Sequence, residues 1–419
     1  MDYESFYRID EGDVIGQKYK PGSVFHYKIG IPNVDEECAI MIEHDRYNGA
    51  QAKAMAQLYE EKIAPPCVEI GIEPGKLIFE SGDNRNMRPN DYDLFDSEYG
   101  DFIVYELIPT LTEKYNLKIS PNPDWHLVGG GSSGGLSSWV IAWFHPSYFH
   151  RIYMSSPSFL PMGRGEELPA LIRKYETKPF KVYEEYSEHE PNDYFGWTYI
   201  GGLSGKKSIE FAGYDFTVKY FEGGGHCSHR YDDDEAYIRM KTIWEGYLEH
   251  PIVAPRNSRR VDMVVPYGTY WEKTESFPKS EPIHEIFSSD FNMQYCGDVN
   301  LEEIWKYPVD LNRNVIKQKY IHTYLHTLPG IYPKGALDMD LDAYDHLYVL
   351  TMMGIQCVRP FGIVDVILNL PEGETPEMIS IQGKELYLKT DKGIWKRPLV
   401  VEGRTEEKTE PHFMWYHTD

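Results

Sequence analysis

Between about residues 22 and 250, short apolar runs alternate with amphipathic stretches. VFHYKIGI (24–31), CAIMIEH (38–44) and CVEIGI (67–72) read as strands, and GAQAKAMAQLYEEKI (49–63) spaces its apolar residues as a helix does. DSEYGDFIVYELIPTLTEKY (96–115) predicts one long helix capped by Asp96 or Ser97. WHLVGG (125–130) predicts a buried strand ending in glycines, with a helix after it. HRIYMSS (150–156), FKVYEEYS (180–187) and YDFTVKYF (214–221) predict further strands, and EAYIRMKTIWEGYLEH (235–250) a closing helix. Strands alternating with helices imply an α/β fold, a mostly parallel central sheet with helices on both faces.

Near residue 250 the texture changes. HPIVAPRNSRR (250–260) has no periodicity and reads as a linker. The last 80 or so residues carry short β-type runs (HLYVLTMMGIQCV, IVDVILNL, MISIQG, ELYLKT, IWKRPLVV), parted by turn signals at Pro371-Glu372-Gly373 and Asp391-Lys392-Gly393. The chain of 419 residues is long enough for two domains. The division expected is an α/β domain over 1–250 and a smaller β-rich module over 261–419.

Charge and composition exclude more than they assign. A net charge of −24 repels phosphates, which argues against nucleic-acid and anionic-membrane partners. No stretch approaches the roughly 18 apolar residues of a membrane span, and MDYESFYRIDEGD has neither a basic nor an apolar leader region. The expectation is a cytoplasmic protein, or a secreted or periplasmic one whose signal is absent from this chain. The 33 tyrosines and 9 tryptophans suit core packing, and also the walls of clefts for sugars or aromatic acids. Five scattered cysteines without a C-x-x-C indicate neither a structural zinc nor a disulfide framework.

The chemically informative stretch is LVGGGSSGGLSS (127–138). Gly130-Gly131-Ser132-Ser133-Gly134 fits G-x-S-x-G directly after a strand and before a helix. Such a turn lifts a serine hydroxyl above the sheet, at a helix N-terminus that favours a developing oxyanion. The frame shifted by one would make Ser133 the nucleophile; Ser132 is preferred because the doubled glycine then follows as G-x-S-x-G-G. No lysine follows to make a phosphate loop. The G-x-G-x-x-G spacing of Gly129, Gly131 and Gly134 lacks the acidic residue a dinucleotide site places about 20 positions on.

A serine nucleophile needs a base, and the base an orienting carboxylate, in the chain order Ser, acid, His. After YDFTVKYF comes Glu222-Gly223-Gly224-Gly225-His226, where glycines would let a loop return an imidazole over the sheet edge. His226 is the candidate base and His229 the reserve. The acid should follow FKVYEEYS, where Ser187-Glu188-His189-Glu190-Pro191-Asn192-Asp193 offers three carboxylates. The residue types narrow the loop without choosing among them.

Together RPNDYD (88–93), YGDFIVYELIPTLTEKYNL (99–117), GGGSSGGLSSWVIAWFHPSYFHRIYMSSPSF (129–159) and EFAGYDFTVKYFEGGGH (210–226) resemble the putative-esterase branch of the α/β-hydrolases. That branch includes feruloyl, acetylxylan and enterochelin esterases and S-formylglutathione hydrolase. The resemblance spans about residues 20–250 and runs from the elbow through a helix ending in a His-Pro turn to a strand ending near Ser-x-Ser-Phe. It implies an α/β-hydrolase fold with Ser132 as nucleophile and His226 as base. It points to Glu190 as the acid, where the family usually has Asp, with Asp193 as the other candidate. It implies an oxyanion hole made by the backbone N–H groups of Ser133 and, after CAIMIEH, Arg46. DAYDHLYVLTMMGIQCVRPFGIVDVILNLPEG (342–373) and ELYLKTDKGIWKRPL (385–399) resemble blades of a gluconolactonase-type β-propeller. About 80 residues match, which implies a partial remnant rather than a closed ring with its metal site.

The function expected is a serine carboxylesterase that removes feruloyl or acetyl groups from plant cell-wall polysaccharide. It would act on a small-molecule or polysaccharide ester and need no cofactor and no metal. Siderophore triester hydrolysis is the second enzymatic reading, and a non-catalytic carbohydrate-binding protein with a retained hydrolase fold is the third.

Overall fold

A computed structural model describes residues 3–256, 259–316, 318–328 and 330–404. The chain divides into two units, one comprising Met1–Ile172 and Lys178–Pro255, the other Arg173–Thr177 and Arg256–Asp419.

The first unit is built on β1 (Tyr7–Ile15), β2 (Ser23–Pro32), β3 (Ala39–His44), β4 (Cys67–Ile72), β5 (Lys76–Ile78), β6 (Asn84–Asn86), β7 (His126–Gly131), β8 (Arg151–Ser155), β9 (Lys181–His189) and β12 (Asp215–Gly225). A small hairpin, β10 (Asn192–Asp193) with β11 (Gly196–Trp197), lies apart from them. The large sheet has the order β12-β9-β8-β7-β3-β4-β2-β5-β6, and β1 pairs with β2. Neighbours from β12 to β4 run parallel; the pairings of β2 with β4, β1 and β5, and of β5 with β6, are antiparallel. The α/β class with a mostly parallel sheet is therefore what forms. β3 and β4 are buried along their whole length, as strands covered on both faces must be.

The chain order decides where a ligand can bind. From β3 the chain steps outward to β4, then returns to β7 on the other side of β3 and continues outward through β8, β9 and β12. The order reverses between β3 and β7, which opens a crevice beyond their carboxyl ends. Ser132 follows β7 and Asp45 follows β3. On one face the helices Gly49–Glu60 and Asp233–Trp244 pack through Ala54, Leu58, Met240 and Trp244 onto Met41, Leu127 and Tyr153. The helix Ser133–Phe144 is buried from Ser133 to Trp143. Its Trp139 meets Phe180 and Tyr214 edge-on, at 5.8 and 5.6 Å between ring centres.

Three elements differ from the sequence reading. The helix expected over 96–115 is Glu98–Phe102, a π turn Ile103–Leu107 and Ile108–Tyr115. Pro109 lacks the N–H that would bond Tyr105, and the preceding residue bonds five back, Ile108 N–H to Ile103 O. Asp96 caps the first piece, its Oδ1 accepting the Glu98 N–H at 3.0 Å. β12 does not stop at Phe221 but runs on through the glycines, past an irregularity in its pairing with β9. β1, whose side chains are mostly exposed and polar, shows no apolar alternation yet forms a nine-residue ladder with β2.

Among the described residues the second unit holds three four-stranded antiparallel sheets. One is Glu285–Phe287, Met293–Cys296, Glu303–Pro308 and Tyr320–Tyr324; the next is Asp338–Leu341, Leu347–Thr351, Gly354–Val358 and Val364–Leu368. The last, Pro376–Gln382, Glu385–Thr390 and Gly393–Pro398, is completed by Glu272–Thr274 from the start of the unit. Leu350, Ile355, Val366, Ile379, Leu386 and Leu388 form its core. Arg173–Thr177 belongs here: Tyr175 bridges to Ile367, and Glu176 takes two hydrogen bonds from Arg397 at 3.0 and 3.1 Å. Of the expected linker, residues 257 and 258 lie outside the described residues.

Candidate active site

Between β7 and the helix Ser133–Phe144 the backbone must turn within one residue, and Ser132 takes the strain, with φ 57° and ψ −124°. A side-chain residue held there costs roughly 1–3 kcal/mol. The turn is over-determined. Ser132 N–H donates to Ser155 O at 2.8 Å, and Ser132 O accepts from the N–H groups of Gly135, Leu136 and Ser158 at 3.0, 3.2 and 3.2 Å. A Cβ at Gly130 would lie 2.7 Å from the Gly134 carbonyl carbon and oxygen, so the first glycine of G-x-S-x-G is needed for close approach. Ser132 is half-buried, whereas Ser133 is fully buried inside the helix. The Ser132 and Ser158 hydroxyls lie 3.1 Å apart.

The pairing of β9 with β12 sets Gly225 opposite His189. The next residue on each strand is therefore Glu190 and His226, side by side beyond the sheet edge. His226 Nδ1 lies 2.5 Å from Glu190 Oε2. Glu190 Oε1 accepts the Ser156 hydroxyl at 2.5 Å and the Ser187 N–H at 3.1 Å. Burial would raise the Glu190 pKa, but the bonds from His226 and Ser156 outweigh it and hold the carboxyl below its ordinary range. Burial also works against a charged His226, yet the Cys227 thiol and the Glu190 carboxylate prevail and raise the imidazole to about 10. Cys227 carries this corner against the elbow: its thiol donates to Ser155 O at 3.4 Å, and a Cβ on Gly131 would lie 3.0 Å from Sγ.

The other candidates lie elsewhere. Glu188 accepts the Gly223 N–H at 2.7 Å. Asp193 is exposed in the small hairpin, where Oδ1 accepts the Phe195 N–H at 2.9 Å. His229 stacks on Phe221 with ring centres 4.1 Å apart. At the end of β3, the His44 Cβ would lie 3.0 Å from a Cβ at Gly134, which brings the following loop beside the elbow. In that loop Asp45 has φ 75°, and the exposed Arg46 stacks its guanidinium 4.2 Å from the centre of the Tyr231 ring. Sequence reasoning passed over Ser156, Ser158 and Cys227. A signal for the serines was present in the Ser-x-Ser-Phe stretch, whose two hydroxyls bond Glu190 and Ser132. Among the described residues no three His, Cys, Asp or Glu side chains gather as metal ligands, and no helix is long and apolar enough to cross a membrane.

A strained serine between a strand and a helix, at the switch point of a mostly parallel sheet, defines the first unit as an α/β-hydrolase. Residues 45–200 match the family model described as "Putative esterase". That match supports reading the first unit as a carboxylic-ester hydrolase of the putative-esterase kind. A search of curated proteins finds no match. Similar solved structures include a ferulic acid esterase (13% identity, 57% of this chain and 97% of that one, TM-score 0.42). The siderophore hydrolase EstB from Aspergillus nidulans is another (15%, 58% and 96%, 0.43). The enterobactin esterase FES from Shigella flexneri is a third, and the match spans only 58% of its length (16% identity, 56% of this chain, 0.41).

Proposed function

We propose that the protein hydrolyses a carboxylic ester through Ser132, His226 and Glu190. The observation that carries this reading is the Glu190–His226 pair at 2.5 Å, in the unit whose elbow holds Ser132. With Nδ1 occupied by Glu190, Nε2 is the imidazole nitrogen left to take the serine proton. Ser132 Oγ then bonds the ester carbonyl carbon, and the carbonyl pair moves onto oxygen. The backbone N–H groups of Ser133 and Arg46 hold that oxyanion. His226 returns the proton to the leaving alcohol, and water repeats the sequence on the acyl-enzyme.

For the substrate we favour a feruloyl or acetyl ester of plant cell-wall polysaccharide, with a siderophore triester as the alternative. The second unit is read as an accessory module without a share in the triad. Turnover of p-nitrophenyl acetate, methyl ferulate, acetylated xylan and an enterobactin-type triester, measured side by side, tests the reading. Higher kcat/KM on ferulate or xylan supports the cell-wall assignment, and preference for the triester replaces it. No turnover on any of the four, by folded protein, overturns the hydrolytic reading.

A further inference from the structure

Arg230 lies four residues beyond His226, and its side chain is 5% exposed. Its Nε donates to Glu43 Oε1 at 2.8 Å, and Nη2 approaches the same oxygen at 2.7 Å. Nη2 also bonds the carbonyl of His44, and Nη1 donates to Asp45 Oδ2 at 3.2 Å. One guanidinium thus grips three successive residues at the end of β3, the root of the loop that carries Arg46. The same Nη1 would lie 2.9 Å from a Cβ at Gly131, the residue before Ser132. At the backbone, Arg230 O accepts from Asn48 Nδ2 at 3.1 Å and from Arg239 Nη1 at 3.2 Å, and its N–H donates to Cys227 O at 3.2 Å. Arg239 in turn donates to His229 O at 3.1 Å and pairs with Glu185 at 2.9 Å.

We propose that Arg230 is a positioning residue that locks the His226 turn, the Ser132 elbow and the Asp45–Arg46 loop into one frame. The inference rests on the hydrolytic reading above and extends it to a residue that touches none of the reacting atoms. The physical case is the number of directions the fork spans. A guanidinium presents five donors in a plane and satisfies a carboxylate, a carbonyl and a second carboxylate at once; an ammonium on a flexible stem does not. Asp45 adds rigidity, because Arg88 donates to its other oxygen at 3.0 Å. Its carboxylate, held between two arginines, fixes a residue at φ 75° that would otherwise relax. Glu43 is fully buried, so its charge depends on Arg230, and without the arginine burial drives its carboxyl toward the protonated form.

The test uses the full chain with Arg230→Ala, Arg230→Lys and Asp45→Asn. Kinetics on p-nitrophenyl acetate are combined with the rate of fluorophosphonate labelling and with Tm. Displacing catalytic groups by about 1 Å costs on the order of 100-fold. Arg230→Ala is therefore expected to lose about 100-fold in kcat and labelling rate with KM little changed. Arg230→Lys should recover only part of that loss, and added ethylguanidinium should restore about tenfold to Arg230→Ala. Asp45→Asn removes one of the contacts at a partly exposed site; it should keep its Tm and lose about tenfold in kcat. The proposal is overturned if folded Arg230→Ala or Asp45→Asn turns over within about threefold of the parent. It is also overturned if Arg230→Ala loses Tm and activity together without rescue while Asp45→Asn is unaffected. Should Arg230→Ala fail to fold, Asp45→Asn decides alone. A parent that neither turns over an ester nor labels at Ser132 refutes the hydrolytic reading instead.

Discussion

Replacing Glu190 by Gln changes one atom and should remove the base from the reaction by a route the local hydrogen bonds dictate. Glu190 Oε1 receives two donors, the Ser156 hydroxyl at 2.5 Å and the Ser187 N–H at 3.1 Å. The backbone donor cannot become an acceptor, so an amide here must turn its oxygen to that side and its NH2 toward His226 Nδ1. An NH2 facing Nδ1 makes that nitrogen the acceptor, which leaves the proton of the neutral ring on Nε2. The imidazole is then in the wrong tautomer to take the serine proton. Losing the orienting acid of such a triad costs roughly 10⁴ in kcat. Glu190→Gln should therefore fall by about that factor on p-nitrophenyl acetate at pH 7–8, with near-native circular dichroism and with fluorophosphonate labelling slowed in parallel. Asp193→Asn should stay within about threefold, since that carboxylate is exposed and accepts the Phe195 N–H of its own turn. A folded Glu190→Gln enzyme within tenfold of the parent would refute the reasoning.

The remaining expectations follow from the same geometry. Only neutral His226 accepts a proton, and the imidazole is raised to about 10, so kcat/KM should climb with pH along a limb displaced well above pH 6.5. Cys227→Ala should move that limb downward, because the thiol is one of the groups that raises the ring; an unmoved limb in pH–rate profiles contradicts this. His226 holds its proton more tightly folded than unfolded, so its stabilising contribution is complete below about pH 6.5 and is lost as pH rises through about 10. The Tm difference between parent and His226→Asn should shrink over that window, and a difference that grows would reverse the sign argued here. In the second unit Glu176→Ala strands Arg397, which is 3% exposed. Unfolding of that unit in urea should lose about 3–5 kcal/mol, and a loss under 1 would mean the pair is not structurally required.

The strand CVEIGI was legible to the residue because its apolar and β-branched residues stand between prolines at Pro66 and Pro74, even though it buries Glu69. The elbow was legible as well: a turn that packs backbone on backbone admits only glycine at Gly130. What was not legible depended on pairing. The end of β12 is set by its ladder with β9, which breaks after Phe221, passes Gly223 at φ 70° and resumes with Gly225 opposite His189, a stretch that alone reads as a loop. The choice among Glu188, Glu190 and Asp193 likewise turns on register, since His189 opposite Gly225 brings residue 190 beside residue 226 while the small hairpin turns Asp193 to solvent. The broken helix at Pro109 could have been read from the sequence, because a proline inside the periodic pattern removes a backbone donor. The insertion of Arg173–Thr177 into the second unit could not: its partners, Ile367, Asn369 and Arg397, lie nearly 200 residues or more away.

The most direct test of the account is the site at which a fluorophosphonate attaches. The probe phosphonylates only an activated hydroxyl, so the adduct reports nucleophile, base and orienting acid together. Digestion and mass spectrometry of the labelled full-length protein should place the adduct on Ser132, with labelling abolished in Ser132→Ala and retained in Ser133→Ala. An adduct on Ser133 or on a residue outside the elbow, or no adduct on folded protein, would contradict it.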